Sequence, residues 1–355
     1  MMDFGICVAA RIDDVGYIAH AENLGYSHAW VADSQMIWSD CYAVLALAAQ
    51  QTRRIKLGTG VSVAGTRSAP VTANSIATIN RLAPGRTFLG IGTGNTAMRL
   101  MGQEPQKLGE FRDYLRVVRG LLRGEEVEFN WRGESWPIQF QMQDHKFIEL
   151  EAPIPIHVSA FGPKTQALAG EMGDGLVMSI PPEPGYMVRA LRQVQKGAAR
   201  SGRELDDFYT TSLTTAVVLE PGESVTSARV LNECGAFAIA SLHYVYDKVR
   251  QMGGEPPLHL RGCWEEYCAM VEAVPARQRH MRVHAGHCTY LLPEEARFLS
   301  ADVIKATCMV GTPEELREQV ERLAAAGLKQ LMILPSLAAQ YRVIEDFARH
   351  VIARL

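Results

Sequence analysis

"RTFLGIGTGNTAMRL" (Arg86–Leu100) carries an apolar run into Gly92-Thr93-Gly94. Earlier in the chain, "KLGTGVSV" (Lys56–Val63) carries another into Gly58-Thr59-Gly60. Two readings compete. A dinucleotide turn follows the first strand of a doubly wound sheet, has G-x-G-x-x-G spacing, and is trailed by an acidic residue about 20 positions on. Here the glycines end the third and fourth apolar runs, and Gly90, Gly92 and Gly94 are spaced G-x-G-x-G. The doubly wound fold is the weaker alternative. Two neighbouring strands lining one site account for the repetition better.

Outward from that stretch, eight short apolar runs follow in order: 3–10, 28–34, 55–63, 86–94, 154–162, 175–180, 209–219 and 330–336. Helical signals separate them. Asp13 is expected to cap a helix ending at Gly25, and helices are expected over 41–51 and 70–83. Phe111, Leu115, Val118 and Leu122 recur with helical period. Pro163 opens a helix that Gly173 closes, and Thr312, Pro313 and Glu315 form a capping box. A last stripe holds Ile344, Phe347, Ala348, Val351 and Leu355. The runs are apolar on both faces, as parallel strands covered by helices must be. Eight right-handed units of this kind close into a (β/α)8 barrel. Residues 1–355 are read as one such domain with insertions near 124–153, after strand four, and 232–300, after strand seven. The first contains "VEFNWRGESWPIQF", which reads as a β-hairpin. Both insertions are expected over the catalytic mouth, with Trp131, Trp136 and Trp264 as an aromatic lid or as core.

Composition narrows the class. The chain is 47% hydrophobic and 21% charged with net charge −3, so no basic footprint points to nucleic acid or an anionic membrane. No apolar run approaches the roughly 20 residues that span a bilayer. The opening "MMDFGICVAARIDD" lacks the basic and apolar regions of a signal peptide. The 7 cysteines are odd in number and include no Cys-x-x-Cys pair, which fits reduced thiols in the cytoplasm.

In a barrel, chemistry collects at the carboxyl ends of the strands. Those ends here hold Asp33 and Ser34; Gly60, Val61 and Ser62; Gly92, Thr93, Gly94 and Asn95; and Ala160, Phe161, Gly162, Pro163 and Lys164. Glycines there let a flat ligand press on backbone. Gly162 and Pro163 start a helix whose free N–H groups, with Lys164, suit a phosphate.

The segments "WVADS" (30–34), "LGTGVSVAGTRSAPVTANSIATINRLAPGRTFLGIGTGN" (57–95), "PIPIHVSAFGPKTQALAGEMGDGLV" (153–177) and "VGTPEELREQVERLAAAGLKQLMILP" (310–335) together resemble the bacterial luciferase-like superfamily. The resemblance is to the branch with methylenetetrahydromethanopterin reductase and other deazaflavin-dependent enzymes. It implies a flavin-type cofactor across the barrel mouth and a flavin-dependent oxidoreductase. By the resemblance, a non-proline cis peptide is expected at Gly60-Val61 or Val61-Ser62. Gly92 to Asn95 would meet the ring edge and ribityl chain, Ala160 to Lys164 the phosphate, and Asp33 the ring's polar end. Several deazaflavin-dependent dehydrogenases follow that Asp with His, where this chain has Ser34. A serine is no general acid near pH 7 without help. The first reading is therefore a monooxygenase using reduced FMN and O2, with a separate flavin reductase. A coenzyme F420-dependent reductase or dehydrogenase is the alternative, and a non-catalytic flavin-binding protein a third. The resemblance also implies a homodimer.

His284 and His287 in "RVHAGHCTY" could supply the missing acid or a substrate contact, could be structural, or could be a fragment of a metal site lacking further ligands. Arg67 is either a contact for an anionic substrate group or a solvated loop arginine. A metal-dependent barrel hydrolase is disfavoured, because "FGICVAA" offers no ligand beyond Cys7 on the first strand.

Overall fold

A computed structural model describes residues 2–179 and 183–355. The end of the expected sixth run, at Ile180, lies outside the described residues. The chain forms two compact units, one of Asp3–Met178 and Val188–Thr211, the other of Ser179–Met187 and Ser212–Leu355.

In the first unit the strands are β1 (Asp3–Val8), β2 (His28–Val31), β3 (Lys56–Thr59), β4 (Ser62–Val63) and β5 (Thr87–Gly92). They continue with the hairpin strands β6 (Val127–Trp131) and β7 (Glu134–Ile138), then β8 (Ile156–Ser159) and β9 (Gly175–Ser179). Parallel ladders run β1–β2, β2–β3, β3–β5, β5–β8 and β8–β9, with β4 also beside β5. Each main strand therefore pairs with its successor in the chain. Among the described residues of these ladders no reversal of order occurs, so they contain no doubly wound switch point. The third apolar run is split: Gly60 and Val61 separate β3 from β4.

The helices between them are α1 (Gly16–Asn23), α2 (Cys41–Gln51), α3 (Ala69–Leu82), α4 (Asn95–Arg99), α5 (Leu108–Leu122), α6 (Pro163–Met172) and α7 (Pro184–Ser201). Asp13 does not cap α1. The N-cap position is Val15, and the Asp13 carboxylate takes Arg11 instead, at 3.2 Å. The floor of this unit is aromatic. Trp30 and Phe88 lie 4.4 Å apart between ring centroids, His157 sits 5.5 Å from both, and Tyr209 adds a fourth ring, 5.5 Å from His157. Burial holds His157 neutral, with a pKa lowered to about 4.

The expected hairpin is present as β6–β7, with Phe129 opposite Trp136. Its place differs from expectation. It follows α5 and precedes β8, which makes it an αβ connection at the amino ends of the strands, not a βα loop at the mouth. The contacts agree: Arg116, midway along α5, donates to the Glu128 carbonyl at 2.8 Å, and a Cβ on Gly120, in its last turn, would lie 2.3 Å from Val127. The segment then returns past the end of α3, where Asn80 donates to the carbonyls of Glu149 and Ala152. Trp131 and Trp136 are exposed on this ribbon and cannot be a lid over the mouth.

After β10 (Tyr209–Thr214), the second unit contains β11 (Ala216–Val218), β12 (Met309–Gly311) and β13 (Gln330–Ile333). Its helices are α8 (Ala228–Met252), α9 (Arg261–Glu272), α10 (Arg279–Val283), α11 (Ala301–Thr307), α12 (Pro313–Ala325) and α13 (Gln340–His350). The seventh run breaks at Thr215, and β11 pairs with β12, a strand that the sequence did not announce. α8 stops at Met252, where Gly253 takes a positive φ of 72° ahead of the expected break. The α12 capping box forms as read: Thr312 Oγ1 accepts the Glu315 N–H at 3.3 Å, and Glu315 accepts the Thr312 N–H at 2.8 Å.

Candidate active site

At the carboxyl end of β2 the chain turns through Asp33, whose side chain is 2% exposed. A carboxylate that deep needs partners. Its Oδ2 pairs with Arg67 and accepts the Ser62 hydroxyl at 3.2 Å and the Val63 N–H at 3.3 Å. The second arm of the Arg67 guanidinium reaches Asp40 Oδ2 at 2.9 Å, and its plane lies over the Tyr42 ring, 5.1 Å from the centroid. The Tyr42 hydroxyl meets Ser62 Oγ at 2.9 Å. Asp40 Oδ1 caps α2, accepting the N–H groups of Tyr42 and Ala43. Burial is the largest single influence and opposes the Arg67 charge, but Asp33, Cys41 and Tyr42 together outweigh it and raise the pKa above the ordinary arginine value. Arg67 is therefore no solvated loop residue. Ser34, beside Asp33, is buried.

The glycines at the ends of β3 and β5 divide by what stands opposite them. A Cβ on Gly58 would meet the Phe88 ring at 2.3 Å, and on Gly60 the Cβ of Trp30 at 2.6 Å. On Gly90 it would lie 2.2 Å from the Thr59 carbonyl oxygen and 2.8 Å from the Trp30 ring. These three make room for protein. Gly92 is buried too and also makes room for protein, though less tightly, since its nearest neighbours would be Ser159 at 3.1 Å and Val61 at 3.3 Å. Gly94 has φ +82° and starts α4, so its lack of a side chain serves the turn. The peptide Gly60-Val61 is cis, at the first of the two expected positions. The Val61 side chain reaches across both Gly90 and Gly92, so the two Gly-Thr-Gly stretches interlock through it.

Gly60, Val61, Thr93, Gly94 and Asn95 are all partly exposed and so accessible from solvent. Asn95 Oδ1 accepts Arg99 Nε at 2.8 Å, which orients its amide. Farther along, Ala160 is buried, while Phe161, Pro163 and Lys164 are exposed. Nothing stands within 4 Å of a Cβ on Gly162, which precedes the first turn of α6. The first unit thus brings together the expected residues of β2, β3–β4 and β5. Tyr42 and Asp40 were not foreseen. Asp40 has the sequence signal of an N-cap, but its bond to Arg67 spans 27 positions and is invisible without the fold.

His284 and His287 belong to the second unit, both buried, with ring centroids 5.9 Å apart. His284 Nε2 lies 3.3 Å from Asp247 Oδ2. Burial, with His284 and His243 nearby, lowers the His287 pKa to about 3, so it is uncharged at neutral pH. Their neighbour His243 faces Glu295 at 3.3 Å, and Glu295 also takes Arg282 at 2.9 Å. Among the described residues no three His, Cys, Asp or Glu side chains converge as a metal-binding group. Trp264 of the same unit rests against Tyr246 and Tyr267.

A barrel-type strand succession with small residues at the strand ends is the architecture of the luciferase-like class. The family described as luciferase-like monooxygenase matches residues 4–330, and the chain belongs to that family. It is 28% identical over 319 residues to 5,10-methylenetetrahydromethanopterin reductase of Archaeoglobus fulgidus, covering 89% of this chain and 87% of that one. It is 25% identical over 362 residues to an F420-dependent glucose-6-phosphate dehydrogenase of Beutenbergia cavernae, covering 97% and 93%. The structure of the coenzyme F420-dependent tetrahydromethanopterin reductase of Methanopyrus kandleri superposes with a TM-score of 0.71 at 22% identity, covering 99% of both chains. That likeness shows the fold, a (β/α)8 barrel with surrounding helices.

Proposed function

We propose that the protein binds coenzyme F420 against the β3–β4–β5 wall and transfers hydride between it and a small organic substrate. What carries this reading is an F420-dependent dehydrogenase similar along 97% of the chain. The wall is compatible. The partly exposed Gly60, Val61, Thr93, Gly94 and Asn95 give a flat ring a surface to meet, and the space at Gly162 leaves the α6 N-terminus and Lys164 free for a phosphate. Bound F420 would supply a carbon that gives or accepts hydride.

The chain's own residues then bind and orient. Gly60, Val61 and Ser62 support the ring face, and Asp33 holds Ser62 in place. Ala160, Gly162, Pro163 and Lys164 take the phosphate end. Ser34 offers no proton-transfer group, which favours a substrate whose reaction needs no proton from that position. His287, uncharged near pH 7, suits a hydrogen bond to substrate better than a proton donor's part, and His284 is proposed beside it. The reading with reduced FMN and O2 was placed first on Ser34, but Ser34 suits proton-free hydride transfer equally well. With F420 as carrier no separate flavin reductase is required. Pairing as a homodimer is proposed from the resemblance alone.

Equilibrium titration tests the reading. F420 is expected to bind in the micromolar range, about tenfold or more tighter than FMN. Binding of neither cofactor below millimolar would overturn it.

A further inference from the structure

We infer that Arg67 is a positioning residue that fixes the β4 edge of the cofactor wall, and that it contacts no ligand itself. The inference rests on the proposed cofactor site. Three donors converge on Asp33 Oδ2, and they come from Ser62, Val63 and Arg67. The carboxylate at the end of β2 thus holds β4 by one backbone and one side-chain donor. Arg67 carries the tie onward to Asp40 at the start of α2 and stacks on Tyr42, whose hydroxyl returns to Ser62 at 2.9 Å. The bonds form a closed circuit through β2, α2 and β4.

Charge argues against a receptor role. Two carboxylates, Asp33 and Asp40, face one guanidinium, so the cluster carries one net negative charge. An incoming anion would meet that charge with both guanidinium arms engaged. Position supplies the role. Val61 precedes Ser62 directly and lies across Gly90 and Gly92. A displacement of β4 would carry the partly exposed Gly60–Val61 edge of the wall with it and shift Val61 against Gly90 and Gly92.

The two roles predict opposite signs for Asp40→Asn. Asparagine caps a helix as well as aspartate does, so α2 keeps its N-cap while Arg67 loses an anchor. Asp40 is 55% exposed at its side chain, so the effect is modest. A positioning role predicts that Asp40→Asn weakens F420 binding about threefold. In the cofactor-free protein, it also predicts faster amide exchange in the peptide covering 60–66. Arg67→Ala should weaken binding about tenfold or more with the same exchange signature. The double variant should be no weaker than Arg67→Ala alone. An anion-receptor role predicts that Asp40→Asn leaves binding unchanged or tightens it, and that Arg67→Ala lowers affinity without altering exchange at 60–66. Either result would overturn the inference. If the wild-type protein binds no F420, the functional reading fails, and the exchange data on the cofactor-free variants still judge the circuit.

Discussion

A methyl group at Gly60 would stand 2.6 Å from Trp30 Cβ and 2.8 Å from the Trp30 carbonyl carbon. The backbone of β2 cannot retreat, so Gly60→Ala is expected to cost about 2 kcal/mol or more, read as a lowered midpoint in urea. At Gly92 the same methyl meets Ser159 at 3.1 Å, which a few tenths of an ångström relieve. Gly92→Ala should cost under about 1 kcal/mol yet weaken F420 binding about tenfold, because the added carbon, 3.3 Å from Val61, pushes that side chain toward the partly exposed wall. Equal affinity in wild type and Gly92→Ala would remove Gly92 from the site. Glu22 shows how residue-scale bonding links to pH. Its carboxylate accepts the N–H groups of Arg53, Arg54 and Ile55, the last two at 2.7 and 2.8 Å. Burial alone would raise its pKa, but the three backbone donors win and hold it below the ordinary glutamate value. A depressed carboxylate stabilises the fold above its unfolded pKa, about 4.3, and loses that contribution as pH falls through the folded value. Glu22→Gln should therefore destabilise by about 2 kcal/mol at pH 7, and the gap to wild type should close in acid. A gap that persists at low pH would assign the effect to packing instead.

At the scale of elements, the strand–helix alternation is legible because local signals set it. α2, α6 and α12 begin and end within a residue or two of their caps and prolines. Where geometry depends on distant partners, the signals mislead. Asp13 looks like a cap, but Arg11 takes it. The run 55–63 reads as one strand, yet it breaks where Gly60 packs on Trp30. β12 is three residues long and exists by pairing with β11, so no periodicity could reveal it. The small residues of the site were readable for the same reason as the strands they end, whereas the Asp33–Arg67–Asp40–Tyr42 circuit required the fold to bring separate loops together. The hairpin shows the limit of counting elements from one end. Its sequence predicts the ribbon, and only the intervening helix α5 places it at the amino ends of the strands. Replacing residues 125–138 with a short Gly-Ser linker should accordingly leave F420 affinity within about threefold of wild type. A loss beyond tenfold in a protein with intact circular dichroism would return the hairpin to the cofactor site.

At the scale of the whole molecule, the family defines an oxidoreductase on a (β/α)8 barrel, and the choice of electron carrier decides which one. The relatives of this chain include an F420-dependent dehydrogenase, while its family model is described as luciferase-like monooxygenase. This chain has glycines at the ends of β3 and β5, a buried and fully engaged Asp33, and a buried Ser34 beside it. These features are compatible with either carrier, and the proposal of F420 rests on the F420-dependent relative similar along 97% of the chain. The most direct measurement loads the protein anaerobically with an equimolar mixture of reduced F420 and reduced FMN, identifies the bound cofactor, and then admits oxygen at an electrode. The account predicts that F420 is retained and that oxygen disappears no faster than in the protein-free mixture. Retention of FMN with accelerated oxygen uptake would contradict it.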